Sequence, residues 1–116
     1  MKERFMSPGD VYLCDFRPVV GSEQDGIRPA IVVSNNKCCA FSDVVYVTPI
    51  TSQIKKQLPQ HYNMNSDLFP FLEADSVALC EQTRPVSKLR LKEKLGNISL
   101  AELYEIICCI KKNFPL

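Results

Sequence analysis

Three polar segments of the sequence carry the residue types that phosphate chemistry uses. The first reads GSEQDGIRP over residues 21–29. Because Pro29 restrains Arg28 to an extended backbone, the Arg28 guanidinium should project from a defined place. A guanidinium is a planar fork of donors that matches phosphate oxygens and stays charged at any working pH. The alternative is an ion pair with Glu23 or Asp25 that only closes the loop.

The other two segments lie where strands are expected to end. TPITSQ at residues 48–53 supplies hydroxyls and an amide, and CEQTRP at residues 80–85 supplies an acid, an amide and a cation. Hydroxyls at strand ends often cap backbone groups, and they can equally hold a phosphate oxygen. The interruptions of the strand pattern thus carry a mixture of cation, hydroxyl, amide and acid that suits an anionic ligand.

The rare residues exclude some kinds of site. His61 is the only histidine among the 116 residues, which excludes proton transfer between two imidazoles of one chain and a zinc site built from two histidines of one chain. No two of the six cysteines have the C-x-x-C spacing typical of zinc or redox sites. We therefore expect reduced thiols packed as small apolar groups, with no metal and no cofactor.

The net charge of +1 does not by itself predict a polyanionic partner, but the charges are unevenly distributed. Residues 84–94 hold five cations and a single acid, a pattern that fits either phosphate contacts or a solvated face. The length predicts a single domain over residues 1–116. Neither a membrane span nor a secretory signal is recognisable, so we expect a cytoplasmic protein.

Apolar alternation predicts strands at residues 11–16, 30–34, 43–48 and 76–81, and a short one at 89–91. Pro49 should end the third strand, and residues 63–67 should form a turn. Long polar loops are expected at residues 17–29 and 51–60. Only the last segment is predicted to be helical: it begins at Ser99 with the capping-box partner Glu102. Its expected apolar stripe consists of Leu100, Leu103, Ile107, Ile110 and Phe114. These elements predict a small, mostly antiparallel barrel capped by the helix.

Together, the motifs resemble a known family. GDVY at residues 9–12 and PVVGSEQDGIRPA at residues 18–30 are similar to the N-terminal signature of the MazF/PemK (Kid-like) toxins of type II toxin–antitoxin systems. The similarity continues through PITSQ at 49–53, LP at 58–59, EQTR at 81–84 and KLG at 94–96. It implies a mainly β fold, a small SH3-like or CcdB-like antiparallel barrel with a C-terminal α-helix, which forms a two-fold homodimer.

The resemblance also implies an enzyme, a metal-independent and sequence-specific endoribonuclease (mRNA interferase) that cleaves single-stranded RNA. In the family pattern Arg28 and Thr51 occupy the catalytic positions. Glu23 and Gln24 fall in the loop beside the RNA groove, and Glu81 stands where relatives carry a substrate-contacting acid. Leu79 stands where some relatives have a second arginine, so their proton-transfer scheme does not carry over whole.

Residue chemistry supports such a reaction independently. Metal-free RNA cleavage proceeds most easily when the ribose 2′-hydroxyl attacks the adjacent phosphorus, which requires a base, a charge-offsetting group and a proton donor. Arg28 suits the offsetting role and Thr51 the positioning of an oxygen, and Glu23 and Glu81 are the two candidate bases. Further RNA contacts are expected from Ser22, Gln24, Ser52, Gln53, Lys55, Lys56, Gln82 and Arg84.

The expected partners follow from the resemblance: single-stranded RNA, a second copy of the chain, a MazE-like antitoxin and, for the toxin–antitoxin complex, operator DNA, but no membrane. Three alternatives stay open. The first is a non-enzymatic CcdB-like toxin that binds a protein such as DNA gyrase, and the second is a plain SH3-like adaptor. The third is a metal-dependent nuclease that uses Asp10, Asp15, Glu23 and Asp25.

Overall fold

The computed structural model describes residues 5–18, 20–21, 26–53 and 56–115. Its strands are β1 Asp10–Asp15, β2 Ile27–Val32, β3 Val44–Thr51, β4 His61–Met64, β5 Ser76–Leu79, β6 Arg84–Ser87 and β7 Leu91–Asn97. Its helices are α1 Asn36–Phe41 and α2 Leu100–Lys111, with short 3₁₀ turns at Cys80–Gln82 and Lys88–Arg90.

All strand pairs are antiparallel, and the sheet order is β4-β5-β3-β2-β1-β7, with β6 attached to β3 beside this path. This confirms the predicted mainly β fold with a C-terminal helix. In the described part of the chain, no strand pairing joins β4 to β7. The sheet is therefore barrel-like without being closed.

Strand β3 is the centre of the sheet and is longer than the sequence predicts. It pairs with β6 through Val44–Val47 and with β5 through Ile50 and Thr51. Pro49, which was expected to end the strand, lies between these two pairings. Its missing N–H costs few interstrand hydrogen bonds at this position. The strand therefore continues to Thr51 and carries this residue into the sheet.

Apolar side chains cover both faces of the sheet, which is why the strands read partly as continuous apolar runs. One face includes Tyr12, Cys14, Ala30 and Val32, together with Cys39 from α1. The other face includes Val11, Ile31 and Ile50, together with Ile106 from α2. Alternation along each strand thus sends neighbouring side chains to two separate cores.

The capping box of α2 is confirmed: the Ser99 N–H donates to Glu102 Oε1 at 2.8 Å, and the Glu102 N–H donates to Ser99 Oγ at 3.1 Å. The predicted apolar stripe is wrong at its ends, since Leu100 is 80% and Phe114 is 59% exposed. The helix instead buries Ile106 fully and packs Leu103 and Ile110 beside it. Helical spacing alone determines which face of a helix is buried only to within about one residue of rotation about the helix axis. None of the described helices has the length and apolar content needed to cross a bilayer.

Several other elements depart from the sequence prediction. Strand β2 begins at Ile27, inside the expected loop of residues 17–29, the strand expected at residues 76–81 ends at Leu79, and β6 was not expected. Helix α1 was not expected, because six residues show little periodicity; it is capped by Asn35, whose Oδ1 accepts the Cys38 N–H at 3.0 Å. Strand β4 replaces part of the expected turn; it is an edge strand paired only with β5 in the described ladders, which tolerates its polar sequence. The predicted short strand at residues 89–91 is mostly a 3₁₀ turn, and β7 begins only at Leu91.

Candidate active site

Arg28 and Thr51 lie on neighbouring strands at the same end of the sheet. The β2–β3 register pairs Ala30 with Pro49 and Ile31 with Thr48. Arg28 and Thr51 each lie two residues beyond the last pair of this ladder, Ala30 with Pro49. Because side chains alternate with a period of two, both then belong to the face that carries Ala30 and Val32.

The two side chains differ in exposure. Arg28 is half-buried, while Thr51 is 5% exposed. Thr51 Oγ1 accepts the Gln53 N–H at 3.1 Å, which turns the chain out of β3. This bond uses an oxygen lone pair, so the hydroxyl proton can still be donated to an anionic oxygen. Ser52 and Gln53, which follow, are both exposed.

A pocket of about 350 Å³ opens where β2 begins and β3 ends. Its lining includes Arg28 and Ser52, and one wall is formed by residues 71–74. The Phe71 ring in this wall meets Phe69 edge-on, with the ring centroids 6.0 Å apart. A cation, a hydroxyl and an aromatic ring therefore line one cavity. The sequence analysis did not single out Phe71, since its role depends on a fold contact.

The backbone of the 17–29 loop turns as its glycines suggest. Gly21 and Gly26 have φ values of +61° and +76°, a region that L-residues rarely adopt. The Phe16 N–H donates to the Gly26 carbonyl at 3.0 Å and closes the base of the loop. The predicted site residues Ser22, Glu23, Gln24 and Lys55 lie outside the described residues, as does Asp25. Lys56 is described and is exposed.

Glu81 contacts the chain's only histidine. Its Oε2 lies 3.0 Å from His61 Nε2, and its Oε1 is buried without a hydrogen-bond partner in the described structure. His61 Nδ1 accepts the Leu58 N–H at 3.3 Å, so the ring proton is assigned to Nε2 and is donated to Glu81. The pair is thus a hydrogen bond from a neutral imidazole to a carboxylate. The sequence analysis used His61 only to exclude two-imidazole chemistry and missed this contact.

The 3₁₀ turn that carries Glu81 and Gln82 is fastened to β3. Thr83 Oγ1 donates to the Cys80 carbonyl at 2.9 Å, so the 2.8 Å contact between Thr83 Oγ1 and Thr48 Oγ1 must use the Thr48 proton. Thr48 is fully buried. These two threonines therefore hold the EQT segment against the strand that ends in Thr51.

Cations of the basic stretch, residues 84–94, contact other groups of the same chain. The Arg84 guanidinium stacks on Phe16, 4.5 Å from the ring centroid, and donates to the Phe16 carbonyl at 3.4 Å. Lys88 and Arg90 donate to the carbonyls of Cys39 and Asp15, and Lys94 lies 3.4 Å from Asp10. These contacts fasten β6 and β7 to β1 and α1, a role that the sequence analysis did not consider.

The described acids of the metal-nuclease alternative also have partners. Asp15 holds Arg17 through two contacts of 2.9 Å, which keep the pKa of that carboxyl well below its usual range. Asp10 pairs with Lys94 at the other end of β1. Within residues 5–18, 20–21, 26–53 and 56–115, no group of three or more potential metal-ligating side chains comes together.

Comparison with known proteins identifies the family. The family described as "PemK-like, MazF-like toxin of type II toxin-antitoxin system" matches residues 7–114 of this chain. A protein of Staphylococcus saprophyticus named endoribonuclease MazF is 43% identical over 102 residues, which cover 87% of this chain and 84% of that protein. Endoribonuclease EndoA of Bacillus subtilis is 45% identical over 91 residues, which cover 78% of each chain.

Solved structures agree on the fold. MazF from Deinococcus radiodurans superposes with a TM-score of 0.82 at 23% identity and covers 98% of this chain and 100% of its own. A MazE–MazF complex from the same organism gives a TM-score of 0.74, also at 23% identity, and covers 96% of each chain. The chain therefore belongs to the PemK-like, MazF-like family of type II toxin–antitoxin toxins, which confirms the resemblance found in the sequence.

Proposed function

We propose that this toxin is a metal-independent, sequence-specific endoribonuclease that cleaves single-stranded RNA. Support comes from the family match and from relatives at 43% and 45% identity that bear the name endoribonuclease. The observation that supports the proposal is that Arg28 and Thr51 lie on the neighbouring strands β2 and β3, each two residues beyond the Ala30–Pro49 pair, and that Arg28 lines a cavity of about 350 Å³. This cavity falls within the size range of roughly 300–1,000 Å³ typical of ligand sites.

The reaction begins with the ribose 2′-hydroxyl. Its proton passes to a carboxylate, the 2′-oxygen bonds to the adjacent phosphorus, and the bond from phosphorus to the 5′-oxygen breaks as that oxygen gains a proton. The products are a 2′,3′-cyclic phosphate and a 5′-hydroxyl. Arg28 offsets the negative charge that grows on the phosphoryl oxygens, and Thr51 donates a hydrogen bond to one of them. Arg28 is also the candidate donor of the proton to the 5′-oxygen.

Glu23 and Glu81 remain the candidate bases, and their surroundings differ. Glu81 already accepts a hydrogen bond from His61, and its second oxygen is buried. A base must come within hydrogen-bond reach of the 2′-hydroxyl, so Glu81 would have to turn away from His61. Replacing each glutamate with glutamine distinguishes the two, because only loss of the base should reduce kcat strongly.

RNA specificity would come from unstacked bases read on their edges along a groove. The loops at residues 17–29 and 51–60 are its proposed walls, with the Arg28–Ser52 cavity available for one base. The proposed contacts are Ser22, Gln24, Ser52, Gln53, Lys55, Lys56, Gln82 and Arg84. The Arg84 guanidinium already stacks on Phe16. We therefore expect Arg84 to contribute least to RNA binding among the described members of this set.

We further propose that the protein is a cytoplasmic homodimer and that a MazE-like antitoxin inhibits it. The complex of toxin and antitoxin would also bind operator DNA. Support for the antitoxin comes from solved relatives, among them a mycobacterial endoribonuclease in complex with its cognate antitoxin. An antitoxin that covers the same cations as RNA would compete directly with the substrate.

The proposal is tested by incubating the purified protein with a long single-stranded RNA in excess chelator. We expect discrete fragments ending in a cyclic phosphate, and no cleavage where one deoxyribose replaces the ribose that supplies the nucleophile. Arg28→Ala and Thr51→Ala should each lower kcat/KM at least about a hundredfold, since one well-placed donor contributes about 2.7–4 kcal/mol. Unchanged circular dichroism serves as the folding control. Near-wild-type cleavage by both variants would refute the assigned roles, and intact RNA with the wild-type protein would favour a binding toxin.

A further inference from the structure

His61 bonds to two segments that the proposed function assigns to RNA binding. Its side chain is only 5% exposed. Nδ1 accepts the Leu58 N–H at 3.3 Å, while the His61 N–H donates to the Leu58 carbonyl at 3.0 Å, and together these bonds close the turn of residues 58–61. Nε2 donates to Glu81 at 3.0 Å. One neutral tautomer satisfies both ring bonds.

A second bridge joins the same segments through the end of α2. Gln60 Nε2 donates to Asn113 Oδ1 at 3.1 Å, and Asn113 Nδ2 donates to the Cys80 carbonyl at 3.0 Å. Lys112 adds a 3.3 Å bond to the Pro59 carbonyl. The 58–61 turn is therefore held at two places against the 3₁₀ turn Cys80–Gln82.

This contact extends toward Arg28 and Thr51. The 3₁₀ turn is fastened to β3 by the Thr83–Thr48 hydroxyl pair, and Thr51 ends that same strand. On the other side, the 58–61 turn begins two residues after Lys56, a proposed phosphate contact. The His61 ring thus connects the 58–61 turn directly to Glu81.

We propose that His61 is a positioning residue for RNA cleavage, a role that rests on the proposed function: it holds the 58–61 turn against Glu81 so that both segments meet the same stretch of RNA. The residue touches neither the scissile phosphate nor its oxygens in this scheme. Breaking either ring bond frees the turn, and the RNA must then order it on binding. In this role Glu81 contacts RNA and Glu23 is the base, so the cost falls on substrate binding and the chemical step at Arg28 and Thr51 is unaffected.

Two substitutions separate the ring bonds. In His61→Asn the amide oxygen reaches about as far as Nδ1, so it can accept the Leu58 N–H but cannot reach Glu81. In His61→Gln the amide nitrogen reaches about as far as Nε2, so it can donate to Glu81 but cannot hold Leu58. Asn63→Ala, two residues along β4 at an exposed position, is the matched control. Gln60→Ala removes only the bond to Asn113 in the second bridge and supplies a test variant at a half-buried position should the histidine variants unfold.

Steady-state cleavage of one RNA oligonucleotide by each full-length variant gives KM and kcat separately. We expect both His61 variants to raise KM about five- to tenfold with kcat within about twofold of wild type, and Gln60→Ala to raise KM about twofold. Asn63→Ala should match wild type. A merely structural role lowers the folded fraction, which reduces the apparent kcat in step with urea stability and leaves KM unchanged.

An unchanged KM in the folded His61 variants, or in Gln60→Ala where those do not fold, would overturn the role of His61 and leave the proposed function intact. A wild-type protein that cleaves no RNA would instead overturn the proposed function. A fall in kcat of more than tenfold with unchanged KM in His61→Asn would place the residue in the chemical step and also contradict this inference.

Discussion

At the scale of single residues, the thiols show how burial controls protonation. Burial raises the pKa of Cys14 to about 11 and that of Cys80 to about 12, from an ordinary value of 9.0. Both side chains lack any exposed surface. All six cysteines are unpaired, as the sequence predicted for packed reduced thiols. Thiols that stay protonated are poor nucleophiles and poor metal ligands, so these two belong to the core.

A pH dependence of stability follows. Above pH 9.0 the unfolded chain releases thiol protons that the folded chain keeps, because burial raises the folded pKa. The contribution of Cys14 and Cys80 to the free energy of unfolding is therefore fully present below pH 9.0. It falls as the pH rises toward about 11–12. Urea unfolding between pH 8 and pH 10 measures this decline, and Cys80→Ala should make it less steep.

Cys108→Ala is the matched control, since Cys108 lies half-buried on α2 and should leave the wild-type decline unchanged. Equal slopes for wild type and Cys80→Ala would show that Cys80 does not carry this alkaline sensitivity. The cavity left by Cys80→Ala lowers stability at every pH and so does not affect the comparison of slopes.

At the scale of elements, one glycine of β7 determines where the wall of the pocket sits. A Cβ on Gly96 would lie 2.8 Å from Phe71 Cδ2 and 3.3 Å from its Cγ, which is closer than real side chains approach. The Phe71 ring therefore packs directly on the β7 backbone. This contact fixes residues 71–74, which line the cavity beside Arg28.

We expect Gly96→Ala to lower the free energy of unfolding by about 1–3 kcal/mol, because the ring must move to make room for the methyl group. In a Phe71→Ala background the same substitution should cost almost nothing, since the clash is gone. Urea unfolding of the four proteins gives the coupling energy between the two positions. Equal costs of Gly96→Ala in both backgrounds would contradict the predicted clash.

At the scale of the whole molecule, a net charge of +1 gives no general attraction to RNA. Lys88, Arg90 and Lys94 are engaged with Cys39, Asp15 and Asp10, so phosphate binding should depend on a few local cations. The proposed ones are Arg28, Lys55, Lys56 and Arg84. For single strands the slope of log K against log salt is about −0.7 per neutralised phosphate, so about four contacts give a slope near −3.

Fluorescence anisotropy with an uncleavable deoxy-substituted oligonucleotide measures this slope over a range of salt concentrations. Lys56→Ala should make it shallower by about 0.7, because one phosphate contact is lost. Lys111→Ala, on the exposed surface of α2, should leave it unchanged. Affinity that does not respond to salt would contradict phosphate contacts as the main source of binding.

The sequence by itself determined the local features of this protein. The family motifs, the capping box of α2, the unpaired thiols and most strands depend on residues that are close in the chain, and local chemistry is sufficient to predict them. Arg28 and Thr51 were likewise predicted as candidate catalytic residues from motif and residue chemistry. Glu81 was predicted as a candidate base, but not as a partner of His61.

Only the tertiary structure decided which of these residues meet. The β2–β3 register, the His61–Glu81 bond, the Phe71–Gly96 contact and the partners of the basic stretch all join positions that are distant in the chain. The rotation of α2 that buries Ile106 was decided in the same way. Such contacts depend on how sheet register and side-chain packing are satisfied together, and shifting a strand by one residue would turn every side chain to the other face.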